Sequence, residues 1–274
     1  MGEKIRIEKN TVMGTLVMPL YGRAVCSRKY PEVFKDSSAE EVVDRIDFDF
    51  SRLKYAEATV MVWAMRRQFM CERAREYLKR HPKATIVNLG CGADESFSQI
   101  DNGQCRFINL DLPDVIAARE RLIPLRAREK NVAMSAFDLK WLDEVETKPE
   151  DGLFAISGGV LMYFAADTIK PLFVALAERF PGGGICFDAE NQKGVDKSNK
   201  VVRKSGNTGS MVVLAVDDAR AMFGPWSRRF RKIITFASLP ENVQNEKKIP
   251  FMTKFILKMG FRMGFMKFVE IEFA

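Results

Sequence analysis

The sequence predicts an α/β protein with a mostly parallel sheet of seven strands and helices on both of its faces. Two observations carry this prediction. Apolar runs of strand length alternate with segments of helical spacing through the middle of the chain, and a Gly-x-Gly turn follows the first of these runs. Parallel strands need crossover helices, so such alternation is typical of a wound α/β sheet. At 274 residues the chain fits a single domain, which we place over 1–274.

The individual elements follow from periodicity and from Gly and Pro breakers. Residues 1–52 are predicted to form an N-terminal cap or lid, and the polar, then Gly/Ser-rich segment 189–216 to form an insertion after the fifth strand that covers the substrate. Strands are predicted at 84–89, 105–110, 131–134, 152–157, 184–188, 229–236 and 264–272, and helices at 38–46, 54–79, 95–100, 114–129, 167–179 and 217–223.

The first strand and its turn predict a nucleotide site. Gly90 and Gly92 let the backbone turn sharply and approach a ligand without Cβ interference. About twenty residues later Asp111 ends the second apolar run, where a carboxylate can accept hydrogen bonds from both ribose hydroxyls. This spacing fits NAD-type and S-adenosylmethionine (SAM)-type sites alike.

Composition limits the other function classes. The net charge of +7 is spread along the chain, apart from a cluster at 228–232, and no basic stripe with interleaved aromatics accompanies it, so we expect no nucleic-acid partner. No apolar stretch approaches the roughly 20 residues that a membrane helix needs, and the start has no apolar signal core. We therefore expect a cytoplasmic protein with no membrane partner.

Metal chemistry is also not expected. The five cysteines are scattered without a C-x-x-C pair, and His81 is the one histidine of the chain. Reduced thiols fit this pattern, and a protein-built zinc site does not. We predict no metal and a small-molecule substrate.

Five motifs in order along the chain suggest a family. They are TLVMPLYGRA, VNLGCGADESF, DNGQCRFINLDLPDVIAARERLIP, SAFDLKWLDEV and GGVLMYF, which together span roughly residues 11–190. In order and spacing they resemble the leucine carboxyl methyltransferase-like family, and within it the polyketide-type O-methyltransferases. The resemblance implies a class I methyltransferase fold, SAM as methyl donor, and an oxygen acceptor that is commonly a carboxylate. An NAD-linked oxidoreductase becomes the weaker reading, because the turn lacks the full G-x-G-x-x-G.

Carried over residue by residue, the resemblance implies a SAM site along the ends of the predicted strands. The glycine turn lies under the methionine portion of SAM, Asp111 binds its ribose, and Asp138 with Leu139 flanks adenine, where a carboxylate can accept from the exocyclic amino group. Asp94 caps the following helix or braces the loop. The full cofactor set is Arg66, Gly90, Cys91, Gly92, Asp94, Asp111, Leu112, Asp138, Leu139, Ser157 and Gly158.

Arg66 is the best match for the family arginine that binds the SAM carboxylate from the long helix before the first strand. A guanidinium can pair bidentately with a carboxylate. The alternative is a surface charge, since Arg67 is adjacent.

Three departures from the family pattern bear on activity. Ser96 stands where the family usually has Arg, Gly158 where it usually has Glu, and Cys71 where relatives often carry Asp. Gly158 lies beside the SAM site. The alternative to a SAM-dependent O-methyltransferase is therefore a catalytically impaired SAM-binding or ligand-binding regulatory module.

Tyr163 and Arg23 are the candidate catalytic residues. The Tyr163 hydroxyl could orient the acceptor, or the ring could simply pack. Arg23 could pair with an anionic acceptor or with the SAM carboxylate, or it could form a salt bridge within the cap. His81 precedes the first strand and faces away from the ligand edge, so the acceptor is expected to be a carboxylate or to need another kind of base.

The acceptor is expected to be a small molecule, anionic or phenolic. Three aromatic side chains late in the sequence, Phe223, Trp226 and Phe230, are candidates for an apolar pocket around it.

Overall fold

The computed structural model describes residues 5–6, 12–50, 55–205 and 211–274. Its strands are β1 (Ile5–Arg6), β2 (Ile46–Asp47), β3 (Thr85–Leu89), β4 (Arg106–Asp111), β5 (Glu129–Ala133), β6 (Leu153–Ser157), β7 (Gly184–Ala189), β8 (Phe230–Phe236) and β9 (Lys267–Phe273). Its α-helices are α1 (Val12–Lys29), α2 (Ser37–Arg45), α3 (Glu57–Arg80), α4 (Phe97–Ile100), α5 (Pro113–Leu122), α6 (Ala166–Arg179), α7 (Gln192–Ser205), α8 (Ala219–Phe223), α9 (Glu241–Asn245) and α10 (Phe251–Arg262).

Seven of the strands form one mixed sheet in the order β5-β4-β3-β6-β7-β9-β8. The first five in this order run parallel, and β9 pairs antiparallel with both β7 and β8. The chain winds outward from β3 to β5 and then returns to β6 on the other side of β3. Open α/β sheets bind ligands at such a reversal, beyond the carboxyl ends of the strands. The predicted mostly parallel seven-stranded sheet is confirmed.

The sheet is buried on both faces. All residues of β3, β6 and β7 are buried, as expected for parallel strands covered by crossover helices. One face packs against α3 through side chains such as Met61 and Met65, and the other packs against α6 through Leu172 and Phe173. The two layers hold the strand ends in place as a rigid edge.

The N-terminal cap contains a helix that periodicity does not reveal. α1 packs against α2 on one side and α3 on the other, so its apolar residues are not confined to one face. The prediction of only one short helix, at 38–46, within 1–52 was therefore incomplete. The cap is fastened to the sheet by Arg45, whose Nη1 donates to the carbonyl of Leu122 at 2.6 Å.

Several predicted boundaries were wrong. The helix predicted at 114–129 ends at Leu122, two residues before Pro124, and β5 starts at Glu129. Residues 189–216, predicted to be an insertion after the fifth strand, contain α7, and 206–210 lie outside the described residues. The stretch between the last two strands, predicted to hold no element, contains α9 and α10. Among the described residues no helix combines the length and the apolar character needed to cross a bilayer.

Candidate active site

The turn after β3 requires glycine. Gly90 and Gly92 have positive φ values of 68° and 50°, a region that favours glycine. A Cβ on Gly90 would also lie 2.4 Å from Cγ2 of Val160. The backbone therefore runs closely past the loop that follows β6, and the two loops form adjacent walls at the strand ends.

Asp111 faces this turn from the end of β4. Its Oδ2 accepts from the Gly92 N–H at 2.7 Å, and its Oδ1 accepts from the Leu112 N–H at 2.8 Å. Burial raises the pKa of Asp111, and these two N–H donors partly offset that effect. Each carboxylate oxygen can accept more than one hydrogen bond, so a fixed carboxylate with spare acceptor capacity stands where a ribose is expected.

Asp94 is the centre of a buried ion-pair network. Its Oδ1 accepts from Arg23 Nη1 at 2.6 Å and Arg67 Nε at 2.7 Å, while its Oδ2 accepts from Ser96 Oγ at 2.6 Å and Asn88 Nδ2 at 3.3 Å. Burial alone would raise the pKa of Asp94, but the two guanidiniums and the Ser96 hydroxyl lower it overall. Asp94 braces the loop, since its carboxylate binds side chains from α1, α3, β3 and the loop itself.

A second carboxylate joins the network from the cap. Asp36 Oδ2 lies 3.3 Å from Arg23 Nε and 3.4 Å from Arg67 Nε. The other oxygen of Asp36 caps α2 by accepting from the Ala39 N–H at 3.1 Å. Of the alternatives for Arg23, the structure shows the salt bridge. Asp36 and Arg67 were not found from the sequence, because neither lies in a ligand motif.

Arg119 holds the same loop from α5. It is buried, and its Nη1 donates to the carbonyls of Gly92 at 3.0 Å and Asp94 at 2.5 Å. In the sequence it belongs to the charged string Arg-Glu-Arg, which is typical of an exposed helix face. No local signal distinguishes it from its exposed neighbours.

Arg66 lies on the opposite side of the turn from Arg67. Its Nη2 pairs with Asp188 Oδ2 at 2.8 Å, and the other Asp188 oxygen accepts from the Gly159 N–H at 2.6 Å. Its Nε is buried and has no hydrogen-bond partner within the part of the chain that the structure describes. Because a buried guanidinium N–H is costly to leave unpaired, this arginine fits the carboxylate of a bound ligand.

Gly158 and Gly159 make room for the Arg66 side chain. A Cβ on Gly158 would lie 3.2 Å from Arg66 Cδ, and one on Gly159, where φ is +74°, would lie 2.5 Å from Arg66 Nη1. Ser157, just before them, is buried and donates to the Leu89 carbonyl at 3.3 Å, which ties the ends of β6 and β3 together. The family usually has a glutamate at position 158, but here the Arg66 side chain lies close to that position. Asp188 supplies the carboxylate that pairs with Arg66.

Tyr163 lies in a short 3-10 helix, Leu161–Tyr163, and its side chain is 42% exposed. Desolvation raises the pKa of its hydroxyl; Arg66 lowers it, while Asp188 and Glu190 raise it further. Glu190, just past β7, accepts from Ser198 Oγ at 2.8 Å, and burial is the main cause that raises its pKa. Glu190 was not predicted because no motif marks it.

Asp138 and Leu139 follow β5 at the same edge of the sheet. Asp138 is exposed and accepts from the Lys140 N–H at 3.2 Å, which starts a short 3-10 helix. Leu139 is half-buried against the core. The Asp138 side chain stays accessible to a ligand beyond β5.

Of the three aromatic candidates for the acceptor pocket, Phe223 is fully buried and packs edge-on against Phe187 and Trp226, so it does not line a pocket. Trp226 and Phe230 are partly buried against the same core. Phe230 stacks on Phe273 in the outer strands.

Two further features lie away from the glycine turn. His81 stacks on Tyr77 before β3, at the amino end of the strands. A cavity of about 170 Å³ lies between α1 and α3 and is lined by residues that include Tyr21, Tyr55 and Glu57.

Comparison with known proteins decides the family. The model of the leucine carboxyl methyltransferase family matches residues 16–177, more than half of the chain. This chain belongs to that family. The methyltransferase is also 32% identical over 191 residues to the tetracenomycin polyketide synthesis O-methyltransferase TcmP of Streptomyces glaucescens, with 69% of each chain covered.

Solved structures show the same fold at low identity. A DUF574 family protein from Streptomyces avermitilis MA-4680 superposes with a TM-score of 0.55 and 13% identity, covering 92% of this methyltransferase and 96% of that chain. An O-methyltransferase family protein from Burkholderia thailandensis gives a TM-score of 0.51 and 14% identity, covering 97% and 74%. The predicted class I fold, SAM as methyl donor and the O-methyltransferase enzyme class are confirmed.

Proposed function

We propose that this methyltransferase transfers the SAM methyl group to a hydroxyl, phenolic in character, on a small polyketide-like molecule. The observation that carries the proposal is Glu190, a half-buried carboxylate just past β7 that accepts from Ser198 Oγ and whose charge acts on the Tyr163 hydroxyl. The 32% identity to a polyketide O-methyltransferase supports the same substrate class.

The donor half of the site fits SAM. Arg66 offers its unpaired Nε to the methionine carboxylate, the turn at Gly90 and Gly92 admits the methionine chain, and Asp111 accepts from the ribose hydroxyls. Asp138 would accept from the adenine amino group. SAM supplies a sulfonium whose methyl group is open to in-line displacement, so the protein's task is to align the acceptor oxygen in a dry pocket.

The acceptor half favours a neutral hydroxyl over a carboxylate. Arg66 balances the charge of Asp188, so an anionic acceptor would meet the like charge of Glu190, whereas a phenol can donate to that carboxylate. A phenol has a pKa near 10 and gains from a proton acceptor during transfer. In this proposal Glu190 takes the proton and Tyr163 orients the acceptor oxygen. Arg23, bound to Asp94, positions the loop.

The insertion and the cap would close the pocket. Met162, beside Tyr163, packs with Val195 of α7 and with Val212, and its carbonyl accepts from the Val213 N–H at 2.8 Å. The segment 189–216 is therefore attached to the loop that carries Tyr163. On the other side the cap residue Arg23 holds the glycine turn.

The alternative, a regulatory module without activity, rested on Gly158. With Asp188 paired to Arg66, a carboxylate is present beside this glycine even though the family glutamate is not. We therefore favour the enzyme.

Calorimetric titration with SAM and with S-adenosylhomocysteine tests the donor half. We expect both to bind, and Asp111→Ala to weaken both while the fold, followed by circular dichroism, stays intact. Asp114→Ala, a nearby exposed carboxylate on α5, is the matched control and should bind normally. No binding of either ligand at millimolar concentration would contradict the donor assignment.

A matched acceptor pair tests the second half. A naphthol and the corresponding naphthoic acid, supplied with methyl-labelled SAM, should give an ether from the phenol and little or no ester from the acid. Glu190→Gln should lower kcat by about 100-fold or more if it takes the proton, and the rate should rise more steeply with pH than in wild type. Glu178→Gln, on the exposed side of α6, is the control. Ester formation as the dominant product would overturn the proposal.

A further inference from the structure

α10 carries an apolar face that no other part of the described residues covers. Five of the ten exposed large apolar side chains among the described residues lie within 251–263. They are Phe251, Met252, Phe255, Ile256 and Met263, which are 80%, 61%, 50%, 52% and 47% exposed. The opposite side of the helix is anchored in the core by Leu257 and Phe261. The helix is therefore apolar on two sides, and only one has a partner among the described residues.

A basic stripe runs along one edge of this face. Lys254, Lys258 and Arg262 are spaced four residues apart, which aligns them on a helix. Lys247 and Lys248 are exposed in the turn just before α10. Over 246–263 the chain has five basic residues and a single acidic one, Glu246. An apolar face bordered by positive charge is thus presented outward.

Against the expectation from the sequence that the protein has no membrane partner, we propose that α10 docks on the surface of an anionic membrane. A helix that combines apolar side chains with Lys and Arg at their border lies in the plane of the lipid interface, with the apolar face reaching the acyl boundary and the cations at the headgroups. Juxtamembrane cations attract anionic headgroups, so charge and apolar contact act together. At 12 residues the helix rests on the surface and does not span it.

The charge pattern favours lipid over a second copy of this chain. In an antiparallel twofold pairing of two α10 faces, the stripes of Lys254, Lys258 and Arg262 would come to the same side of the helix pair and repel each other. An anionic surface neutralises that stripe. The patch also exceeds what scattered single apolar residues produce on an ordinary surface.

The contacts of α10 with α3 and the N-terminal cap indicate which part of the protein would lie near the membrane. Thr253 Oγ1 donates to Glu57 Oε2 at 2.8 Å, and the other Glu57 oxygen accepts from the Tyr30 hydroxyl at 2.6 Å. The start of α10 is therefore joined to the start of α3 and to the end of α1 in the cap. A docked molecule would hold its cap beside the lipid surface.

Vesicle co-sedimentation of the full chain tests this directly and needs no methyl transfer. We expect binding to vesicles of equal parts phosphatidylcholine and phosphatidylglycerol, and weak or no binding to phosphatidylcholine alone. Phe255→Ser should weaken binding by about tenfold or more, from the lost burial of one phenyl ring. Leu125→Ser, which removes a side chain of similar exposure at 49%, should leave binding unchanged.

A second pair of variants separates docking through α10 from general attraction by a basic protein. Lys254→Glu/Lys258→Glu and Arg229→Glu/Lys232→Glu change the net charge equally. The first pair should abolish binding. The second pair, of which Lys232 lies on the outer strand β8 and Arg229 just before it, should weaken binding far less. Equal losses in both, or no binding to anionic vesicles at low salt, would overturn the proposal.

Sedimentation velocity without lipid tests whether a second copy of this chain covers the apolar face of α10. The wild-type chain should give the same oligomeric state as Phe255→Ser. A dimer that Phe255→Ser converts to monomer would show that a second copy covers the face, and would likewise overturn membrane docking.

Discussion

Arg66 and Arg67 are neighbours on α3, yet their surroundings differ in one decisive way. Arg67 is buried, and both its Nε and its Nη2 are bound within the protein, to Asp94 at 2.7 Å and to the Glu95 carbonyl at 2.7 Å. Arg66 is bound through Nη2 to Asp188, while its Nε is buried without a hydrogen-bond partner among the described residues. Arg67 thus donates to the protein through both of these nitrogens, whereas Arg66 has one N–H donor left for a ligand.

The difference shows how a ligand-binding arginine can be told from a structural one. Burial alone does not separate them, since the side chains are 16% and 7% exposed. Hydrogen bonding at Nε separates these two residues, since Arg67 Nε donates to Asp94 and Arg66 Nε has no partner among the described residues. A buried polar group left without a partner costs free energy that a ligand can recover. We therefore expect loss of Arg67 to act on stability and loss of Arg66 to act on SAM affinity.

The largest expected effect is on the stability of Arg67→Met. Removing this guanidinium takes one of two cationic partners from Asp94 and Asp36, and losing one partner of a buried ion pair typically costs about 3–5 kcal/mol of unfolding free energy. Urea denaturation followed by circular dichroism measures it. Arg66→Met is the matched control, on the next residue of the same helix, and should lose much less. Equal losses in the two variants would remove the distinction.

Arg66→Met should instead weaken SAM binding. Hydrogen bonds to charged groups contribute about 1.5–3 kcal/mol, so we expect the Kd for SAM to rise by roughly 10- to 150-fold in calorimetry. Arg66→Lys should recover only part of the affinity, since an ammonium cannot pair bidentately. If SAM binds Arg66→Met as tightly as wild type, the unpaired Nε has another role.

Two glycines with the same backbone conformation sharpen the assignment of Arg66. Gly159 and Gly182 have φ values of +74° and +76°, so an alanine strains both backbones, by about 1 kcal/mol. A Cβ at Gly159 meets Arg66 Nη1 at 2.5 Å, whereas nothing lies within 4 Å of one at Gly182. Gly159→Ala should therefore lose both stability and SAM affinity, and Gly182→Ala stability alone. Similar SAM affinities in the two variants would argue that the Arg66 position is not critical.

The sequence predicted the half of the site that depends on local backbone geometry. The glycine turn and the carboxylate that ends β4 are fixed by strand ends and by positive φ values, which leave a local signature in Gly90, Gly92 and Asp111. The positions of the inner strands along the chain could be predicted for a similar reason, since buried parallel strands are continuous apolar runs.

The parts of the site and the fold that the sequence did not predict depend on contacts between distant parts of the chain. Arg119 and Asp36 reach the loop from α5 and from the cap, and in the sequence they look like ordinary exposed charges. Helices α1 and α10 were missed because each has apolar residues on more than one side, which removes the single-face period. Such features arise only when tertiary packing decides which charges are buried and which faces are covered.

The smallest effect expected is a difference in pH dependence between two carboxylates of the site. The pKa of Asp94 is lowered in the folded protein, so its ionised form stabilises the fold above the unfolded value near 4, and this contribution is lost as the pH falls through the folded pKa. The pKa of Asp111 is raised, chiefly by burial. Its contribution has the opposite sign: it is fully present below the unfolded value and is lost as the pH rises through the folded pKa.

Unfolding free energies measured from pH 7 to pH 3 should show both signs. The advantage of wild type over Asp94→Asn should shrink as the pH falls below about 4, because the unfolded chain then binds a proton that the folded Asp94, kept ionised by Arg23 and Arg67, does not. The advantage of wild type over Asp111→Asn should grow over the same interval, because protonation relieves the buried charge. Parallel curves for the two variants would mean that Arg23 and Arg67 do not set the ionisation of Asp94. The contrast between Arg67, bound to Asp94, and Arg66, with its unpaired Nε, would then have no electrostatic basis.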